Sequence, residues 1–172
     1  MIINLLMLQR IEKKRADPSK SIKMNTTLAN MSGISNGKVI DTDKEYAVAE
    51  EYRKKLKTKC PTVEQNVGNL SGGNQQKVLL AKWMFAEPDI LILDEPTRGI
   101  DVGAKYEIYC IINDLVAAGK SVIMISSELP EVLGMSDRIY IMNEGRFVGE
   151  VSGEEATSEL IMSRIVKSGK GE

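Results

Sequence analysis

The chain has 172 residues, 42% of them hydrophobic and 27% charged, with a formal net charge of −1. This composition fits one globular domain or part of one, and near-neutral charge gives no indication of nucleic-acid binding. The sequence contains no histidine, which excludes every histidine-based mechanism. Its two cysteines, Cys60 and Cys110, lack metal-ligand spacing and indicate a reducing compartment without a disulfide framework.

The first eight residues are apolar apart from Asn4, a run too short to span a bilayer. Arg10, Lys13 and the basic residues beside them follow this run, whereas a signal peptide carries its positive charge before its apolar segment. We therefore interpret the N-terminus as a short helix or a disordered start.

Two helical segments follow, at residues 25–31 and 41–57, with a loop between them at residues 33–37. Thr42 and Glu45 have the spacing of a capping box at the start of the second helix. Five further residues of that segment recur at helical spacing: Tyr46, Ala49, Tyr52, Arg53 and Leu56.

A serine and two glycines, Ser71, Gly72 and Gly73, precede an amphipathic helical run at residues 74–85. Helix N-termini bind phosphate because their free N–H groups and the helix dipole favour negative charge. Glycines let a phosphate approach the backbone, and the serine adds a hydroxyl donor. An ordinary N-cap with flexible glycines explains this block equally well.

A short apolar run at residues 90–93, bounded by prolines, predicts a strand buried on both faces of a parallel sheet. Asp94 and Glu95 follow it, at the end of the strand where open α/β sheets place their ligands. A carboxylate at Asp94 suits Mg²⁺ bound through water, and Glu95 suits the orientation or deprotonation of an attacking water. The alternative is a solvated turn after a strand.

Asp101 is a good N-cap for a helix at residues 102–117, with Gly119 as its C-terminal stop. Residues 121–125 then predict another buried strand.

The C-terminal part predicts a hairpin formed by residues 138–142 and 146–151, with its turn at residues 143–145. Residues 152–155 are a candidate cap for a final helix that ends near Val166.

Taken together, three blocks resemble the ATP-binding cassette ATPases. They are Leu-Ser-Gly-Gly-x-x-Gln at residues 70–76, Asp-Glu-Pro-Thr at residues 94–97 after four apolar residues, and Gly-Ile-Asp at residues 99–101. The surrounding sequence resembles the second, C-terminal cassette of the double-cassette monosaccharide importers of the galactose/methyl-galactoside or ribose type. This resemblance includes Ile-Ser-Ser-Glu-Leu-Pro-Glu-Val-Leu-Gly at residues 125–134. The resemblance covers about residues 21–166.

This resemblance implies an α/β fold: an incomplete P-loop NTPase (ABC ATPase) domain with a helical subdomain and with the phosphate-loop strand missing. No Gly-x-x-x-x-Gly-Lys-[Ser/Thr] phosphate loop occurs in the sequence. The absent strand would lie between residues 121–125 and 138–142, and we expect the open apolar face to favour aggregation. The implied organisation is a non-family segment at 1–20, a helical subdomain with the signature motif at 21–88, a partial RecA-like core at 89–151, and a C-terminal helix and tail at 152–172.

The resemblance also assigns the site. Asp94 serves Mg²⁺ and Glu95 is the catalytic residue that acts on water. Ser127 stands at the position where the wider family has a histidine. The second cassettes of the sugar importers resemble this variant without the histidine. The residues that contact the nucleotide across a cassette dimer are Ser71, Gly72, Gly73, Asn74, Gln75 and Asp101.

The implied function is that of a fragment of the ATP-hydrolysing subunit of a bacterial monosaccharide importer, which couples ATP hydrolysis to sugar uptake in the intact system and is inactive alone. The implied cofactors are ATP and Mg²⁺ in the intact dimer, with weak or no binding expected for this chain alone. Its partners are a second cassette, a transmembrane sugar permease and, indirectly, a periplasmic or lipid-anchored sugar-binding protein, with no nucleic acid. The implied location is cytoplasmic and peripheral, on the inner face of the cell membrane.

Two other functions remain open. The first is a non-enzymatic module that donates its signature helix to another cassette subunit. The second is a DNA-repair or chromosome-structural ATPase, although the coiled-coil arms and zinc cysteines of that class are absent from the sequence.

We also expect the chain to be a truncated or frame-disrupted product. The resemblance fades abruptly at residues 18–21, and Gln9 is the only glutamine upstream that is available for a phosphate-sensing loop.

Overall fold

The computed structural model of the protein describes residues 16–168. The chain divides into two compact units, residues 1–123 and 124–172. The expectations for the apolar start and for Gln9 lie outside the described residues. Within residues 16–168, no helix combines the length and the apolar character needed to cross a membrane.

The first unit begins with helices around a small hairpin. Its elements in chain order are α1 (Ile22–Thr27), a 3₁₀ helix (Met31–Ile34), β1 (Ser35–Asn36), β2 (Val39–Ile40), α2 (Thr42–Lys55), a second 3₁₀ helix (Val67–Asn69) and α3 (Gly72–Phe85). Their core is a cluster of buried side chains: Ala16, Ile22, Ala49, Val63, Val67, Leu70 and Val78. Helix α3 therefore rests on the same core as α1 and α2.

Helix α1 lies earlier in the chain than the prediction for residues 25–31. It begins after Ser21, whose side-chain oxygen accepts a hydrogen bond from the Met24 backbone N–H at 3.1 Å. Asn30, predicted to be helical, instead caps the following 3₁₀ helix by accepting from the Gly33 N–H. Both caps were missed because Ser and Asn are equally common in loops.

Helix α2 confirms the prediction for residues 41–57, but the capping box is wrong. The N-cap is Asp41, whose carboxylate accepts from the backbone N–H groups of Asp43 and Lys44. Glu45 is buried instead, where it accepts a hydrogen bond from the Thr27 hydroxyl. A tertiary contact with α1 has therefore replaced the local one.

The rest of the first unit contains β3 (Ile90–Asp94), α4 (Val102–Ala117) and the start of β4 (Ser121–Ile125), and β3 pairs with β4. These bounds confirm the predicted elements. In β3, Leu91 and Leu93 are buried, at 6% exposed each, but the prediction that β3 is buried on both faces and that β4 is buried is wrong. Ile90 is 43% exposed in β3, and Ile123 and Ile125 are each 51% exposed in β4. Each sheet in residues 16–168 has only two strands, so each strand has one unpaired edge.

Helix α4 ends at the predicted stop. Gly119 adopts φ +85°, its N–H donates to the Val116 carbonyl at 2.9 Å, and the Lys120 N–H donates to the Leu115 carbonyl at 3.1 Å. These two bonds form a Schellman motif, which requires a left-handed residue at this position.

We expect Gly119→Ala to destabilise the first unit by about 1 kcal/mol, because a Cβ disfavours the left-handed conformation. Glu87 occupies the equivalent position after α3 with φ +52°, so Glu87→Gly should stabilise the unit by about 0.5 kcal/mol. Urea unfolding of the two variants measures both effects. Equal shifts of the same sign would contradict this account.

The second unit contains α5 (Leu129–Met135), β5 (Arg138–Asn143), β6 (Arg146–Ser152) and α6 (Ser158–Ser168). Strands β5 and β6 pair antiparallel, and their turn places Glu144 and Gly145 at φ +48° and +75°, as a two-residue hairpin turn requires. The predicted hairpin is confirmed. Its core consists of Ile139, Ile141, Val151 and Ile161.

The cap predicted for the final helix is wrong. Helix α6 begins at Ser158, after Thr157, whose hydroxyl accepts from the Leu160 N–H at 3.1 Å. The Ser152 hydroxyl does accept from the Glu155 N–H, but this bond closes a turn that no helix continues. Helix α5 was not predicted, although Pro130 near its start is a typical helix-initiation residue.

Candidate functional site

Ser71 is the N-cap of α3, and both it and Gly72 are exposed to solvent. The Ser71 side chain accepts no hydrogen bond from the helix backbone. Its Oγ instead accepts from the side-chain amide Nδ2 of Asn74 at 2.8 Å. The start of the helix therefore lies at the surface, and its first-turn N–H groups have no partner within the helix, as phosphate binding at a helix N-terminus requires.

The two glycines of the signature have different structural reasons. Gly73 is buried, and a Cβ at this position would lie 2.5 Å from the Cβ of Ala104 in α4. A Cβ at the exposed Gly72 would lie 3.3 Å from the Ile100 side chain. Gly73 is thus explained by the close packing of α3 on α4, without reference to a ligand.

Asp101 lies close to this helix start. The residue before it, Ile100, lies against Gly72, and Ala104, three residues after it, lies against Gly73. Its carboxylate accepts a hydrogen bond from the Ala104 N–H at 2.9 Å, which confirms its predicted role as the N-cap of α4. The residue is exposed. The structure therefore brings together Asp101 and the signature residues on one side of the first unit.

Asn74 and Gln75 are half-buried and bound within the chain. The Asn74 Oδ1 accepts from the Lys59 backbone N–H at 2.8 Å, and the Gln75 Nε2 donates to the Leu70 carbonyl at 2.9 Å. Their assignment as nucleotide contacts stays a prediction, and both side chains have a supporting role that the sequence did not reveal.

Lys77 is a buried charge, 2% exposed, which the sequence analysis missed. Its ammonium lies 2.8 Å from the Glu107 carboxylate in α4 and donates to the Lys57 carbonyl at 3.1 Å. The available signal was its position, since Gly73, Lys77 and Ala81 recur at four-residue spacing on one helix face. Lys77 therefore joins the signature helix to α4 and to the end of α2.

The pKa of the Glu107 carboxyl lies below its usual range. The largest cause is the hydrogen bond from Lys77. A lowered folded-state pKa contributes stability above the usual glutamate pKa of about 4.3 and loses it as the pH falls through the folded value. We expect the stability advantage of the wild type over Glu107→Gln to be constant near neutrality and to shrink below about pH 4. Urea midpoints over this pH range measure it, and an advantage that grows on acidification would contradict it.

The two acidic residues after β3 differ in environment. Asp94 is exposed, and a hydrated carboxylate of this kind fits Mg²⁺ held through water. Glu95 is half-buried with φ +49°, a left-handed conformation that costs energy in a non-glycine residue and is enriched at functional sites. No group of three or more potential metal-ligating side chains occurs within residues 16–168. The roles of Asp94 and Glu95 stay predictions.

Ser127 is exposed in the segment between β4 and α5, in the second unit. Its assignment as the substitute for a histidine rests on the sequence.

Solved structures of similar fold are ATP-binding cassettes. The MJ1267 cassette in its ADP conformation gives a TM-score of 0.68 at 21% identity, covering 90% of this chain and 64% of that one. The MJ0796 cassette, dimeric and bound to ADP and Pi, gives 0.67 at 22% identity, covering 80% of this chain and 58% of that one. The incomplete ABC ATPase fold predicted from the sequence is therefore confirmed.

A family model described as "ABC transporter" matches residues 7–98, more than half of the chain, and the protein belongs to this family. This match begins at residue 7, whereas the resemblance seen in the sequence begins at about residue 21.

Curated relatives that match the chain are sugar-import ATP-binding proteins. The L-arabinose transport ATP-binding protein AraG of Geobacillus stearothermophilus is 61% identical over 149 residues, which are 87% of this chain and 29% of that protein. The ribose import ATP-binding protein RbsA of Clostridium perfringens strain SM101 is 55% identical over 147 residues, or 85% of this chain and 29% of that protein. The chain therefore spans about 29% of the length of these relatives.

Proposed function

We propose that the chain is part of the ATP-binding subunit of a bacterial monosaccharide importer and supplies the signature side of an ATP site shared with a second cassette. The observation that carries this proposal is the exposed start of α3. There Ser71 and Gly72 face solvent beside Asp101, while Asn74 and Lys77 hold the helix from inside.

This geometry suits phosphate held by another subunit. The N–H groups of the first turn and the Ser71 hydroxyl are hydrogen-bond donors on a surface that a second cassette can approach. ATP with Mg²⁺ supplies the phosphoryl bond that is hydrolysed. Asp94 would hold the hydrated metal and Glu95 would orient water, but both need a phosphate loop, which the sequence does not contain.

The partners follow from the relatives. Their names specify arabinose, xylose and ribose import, so the proposed cargo is a monosaccharide without further distinction. We propose a transmembrane permease as the direct partner, a sugar-binding protein outside the membrane as an indirect one, and a location on the cytoplasmic face of the membrane. Nucleic acid is not among the proposed partners, since the net charge is −1.

The isolated chain should show negligible ATP turnover, because no residue of its sequence provides the backbone cradle and lysine of a phosphate loop. Phosphate release from ATP and Mg²⁺, measured with the purified chain, tests this. Turnover that disappears in Glu95→Gln would overturn the prediction.

The shared site is tested with a reporter, an arabinose-import-type cassette subunit whose own signature serines are replaced by arginine. The reporter keeps its phosphate loops but cannot complete a partner's site. Addition of this chain should restore ATP hydrolysis, and the Ser71→Arg variant should not. Ser32→Arg, at an exposed serine far along the chain from the signature, is the matched control. Restoration by Ser71→Arg equal to that by the wild type would refute the proposal.

The same mixture separates the alternative, a non-enzymatic donor module, from a chain that also hydrolyses ATP. A pure donor acts on the partner's nucleotide, so Glu95→Gln should stimulate the reporter as the wild type does. Loss of stimulation in Glu95→Gln would favour hydrolysis at the chain's own site. The lack of a phosphate-loop motif favours the donor outcome.

A further inference from the structure

We propose that Asn74 is a positioning residue. Its amide fixes the Ser71 hydroxyl as a hydrogen-bond acceptor, so that the hydroxyl proton is directed to the nucleotide phosphate, and the turn at residues 57–59 holds the amide in place. This inference rests on the proposed function of the signature helix.

The orientation of the Asn74 amide follows from its partners. The Lys59 backbone N–H is only a donor, so the atom 2.8 Å from it must be the amide oxygen Oδ1. The amide nitrogen Nδ2 is then the atom 2.8 Å from the Ser71 Oγ. Since Nδ2 is only a donor, the serine oxygen accepts in this bond and does not give its proton to Asn74.

The serine proton is consequently available. Within residues 16–168, the Ser71 side chain makes only the bond to Asn74, and it accepts from no backbone N–H of α3. Ser71 is exposed, so the hydroxyl can donate to a group arriving from outside. Acceptance of one hydrogen bond strengthens a hydroxyl as a donor in the next.

The support for Asn74 comes from the end of α2. Lys57, at φ +51°, forms a Schellman motif in which the Thr58 N–H donates to the Arg53 carbonyl at 2.9 Å. The Lys57 carbonyl accepts from the buried Lys77 ammonium, and two residues later the Lys59 N–H donates to Asn74. The turn is thus bound to α3 at two points, three residues apart on one face of the helix.

The isolated chain tests the support first, by hydrogen exchange of the Lys59 backbone amide. Asn74→Ala removes its acceptor and should accelerate exchange at least tenfold, whereas Asn74→Asp keeps an acceptor and should leave it slow. Asn69→Ala, at an exposed asparagine with no side-chain hydrogen bond among the described residues, is the matched control. Unchanged exchange in Asn74→Ala would overturn the support.

A double-mutant cycle with the reporter cassette tests the effect on Ser71. Ser71→Ala and Asn74→Ala should each lower the maximal stimulated rate about 100- to 1,000-fold, the range typical of one lost oxyanion donor. The double variant should be no worse than Ser71→Ala alone, and the chain concentration for half-maximal stimulation should not change. Asn74→Asp should also lose stimulation, because a carboxylate draws the serine proton inward.

The outcomes separate the two proposals. Independent, multiplicative losses in the double variant, or full stimulation by Asn74→Asp, would overturn the positioning role while the shared site stands. A wild-type chain that fails to stimulate the reporter would overturn the proposed function and, with it, the effect on the nucleotide. In that case the hydrogen-exchange rate of the Lys59 amide still tests whether the turn at residues 57–59 holds the Asn74 amide in place.

Discussion

Gly73→Ala is expected to destabilise the first unit by about 1–3 kcal/mol, the usual cost of overpacking a tight contact. The added Cβ would lie 2.5 Å from the Cβ of Ala104, and neither atom belongs to a side chain that can rotate away. Helices α3 and α4 must therefore move apart. Urea unfolding measures the loss of stability, and an unchanged midpoint would show that the helices are not in close contact.

Ala104→Gly provides the compensating change, because it removes the atom that the new Cβ would meet. The double variant should recover most of the stability lost in Gly73→Ala, apart from the propensity cost of a new helical glycine, about 1 kcal/mol. Gly134→Ala is the matched control, since a Cβ at this helical glycine meets nothing within 4 Å. It should be neutral or stabilising by up to about 1 kcal/mol.

Glu107→Ala is expected to be the more harmful way to break the buried ion pair, at about 1–3 kcal/mol. It leaves the Lys77 ammonium, which is 2% exposed, with the Lys57 carbonyl as its remaining described partner. Lys77→Met should cost less, because the methionine fills a similar volume and Glu107, whose side chain is 46% exposed, can be hydrated.

The test compares the stability lost in Glu107→Ala with the stability lost in Lys77→Met. Lys77→Met combined with Glu107→Ala should be no less stable than Glu107→Ala alone, since the uncompensated buried charge has been removed. Thermal or urea unfolding of the three variants at neutral pH gives the values. A greater loss in Lys77→Met than in Glu107→Ala would mean that the ammonium contributes more through its hydrogen bond to the Lys57 carbonyl than its uncompensated burial costs.

The parts of the fold that the sequence predicted correctly have local causes. Asp101 caps α4 and Gly119 ends it through atoms within a few residues, and the hairpin turn at Glu144 and Gly145 requires only left-handed backbone angles. A contact with a distant partner was not predicted. Glu45 has the spacing of a capping box, but its hydrogen bond goes to Thr27 in another helix.

Burial could not be predicted because it depends on neighbours that a strand does not itself encode. The apolar runs of β3 and β4 suggested strands covered on both faces, yet Ile90 and Ile123 are about half exposed. The pattern shows that a residue is apolar, and the elements that pack on each face of the sheet decide whether it is covered. The same limit hid Lys77, whose charge predicts exposure until Glu107 is placed beside it.

At the site, the sequence identified the signature residues and Asp101 by their resemblance to a family, and the structure brings them to one side of the unit. It could not separate residues that face outward from those that support them. Ser71 and Gly72 are exposed, whereas Gly73 packs on α4 and the Asn74 amide is bound within the chain. That division arises from tertiary contacts of α3 with the turn at residues 57–59 and with α4.

The burial of Lys77 has a chemical consequence for work on this protein. Acylating reagents attack amines that water reaches, so exposed neighbours such as Lys54 and Lys55 can be modified in the folded chain while the Lys77 amine is enclosed. Modification of Lys77 requires α3 to separate from α4 or from the turn at residues 57–59. Mass spectrometry can compare the labelling rate of this amine with that of the exposed lysines. The rate therefore reports how often the signature helix α3 separates from the elements on which it packs.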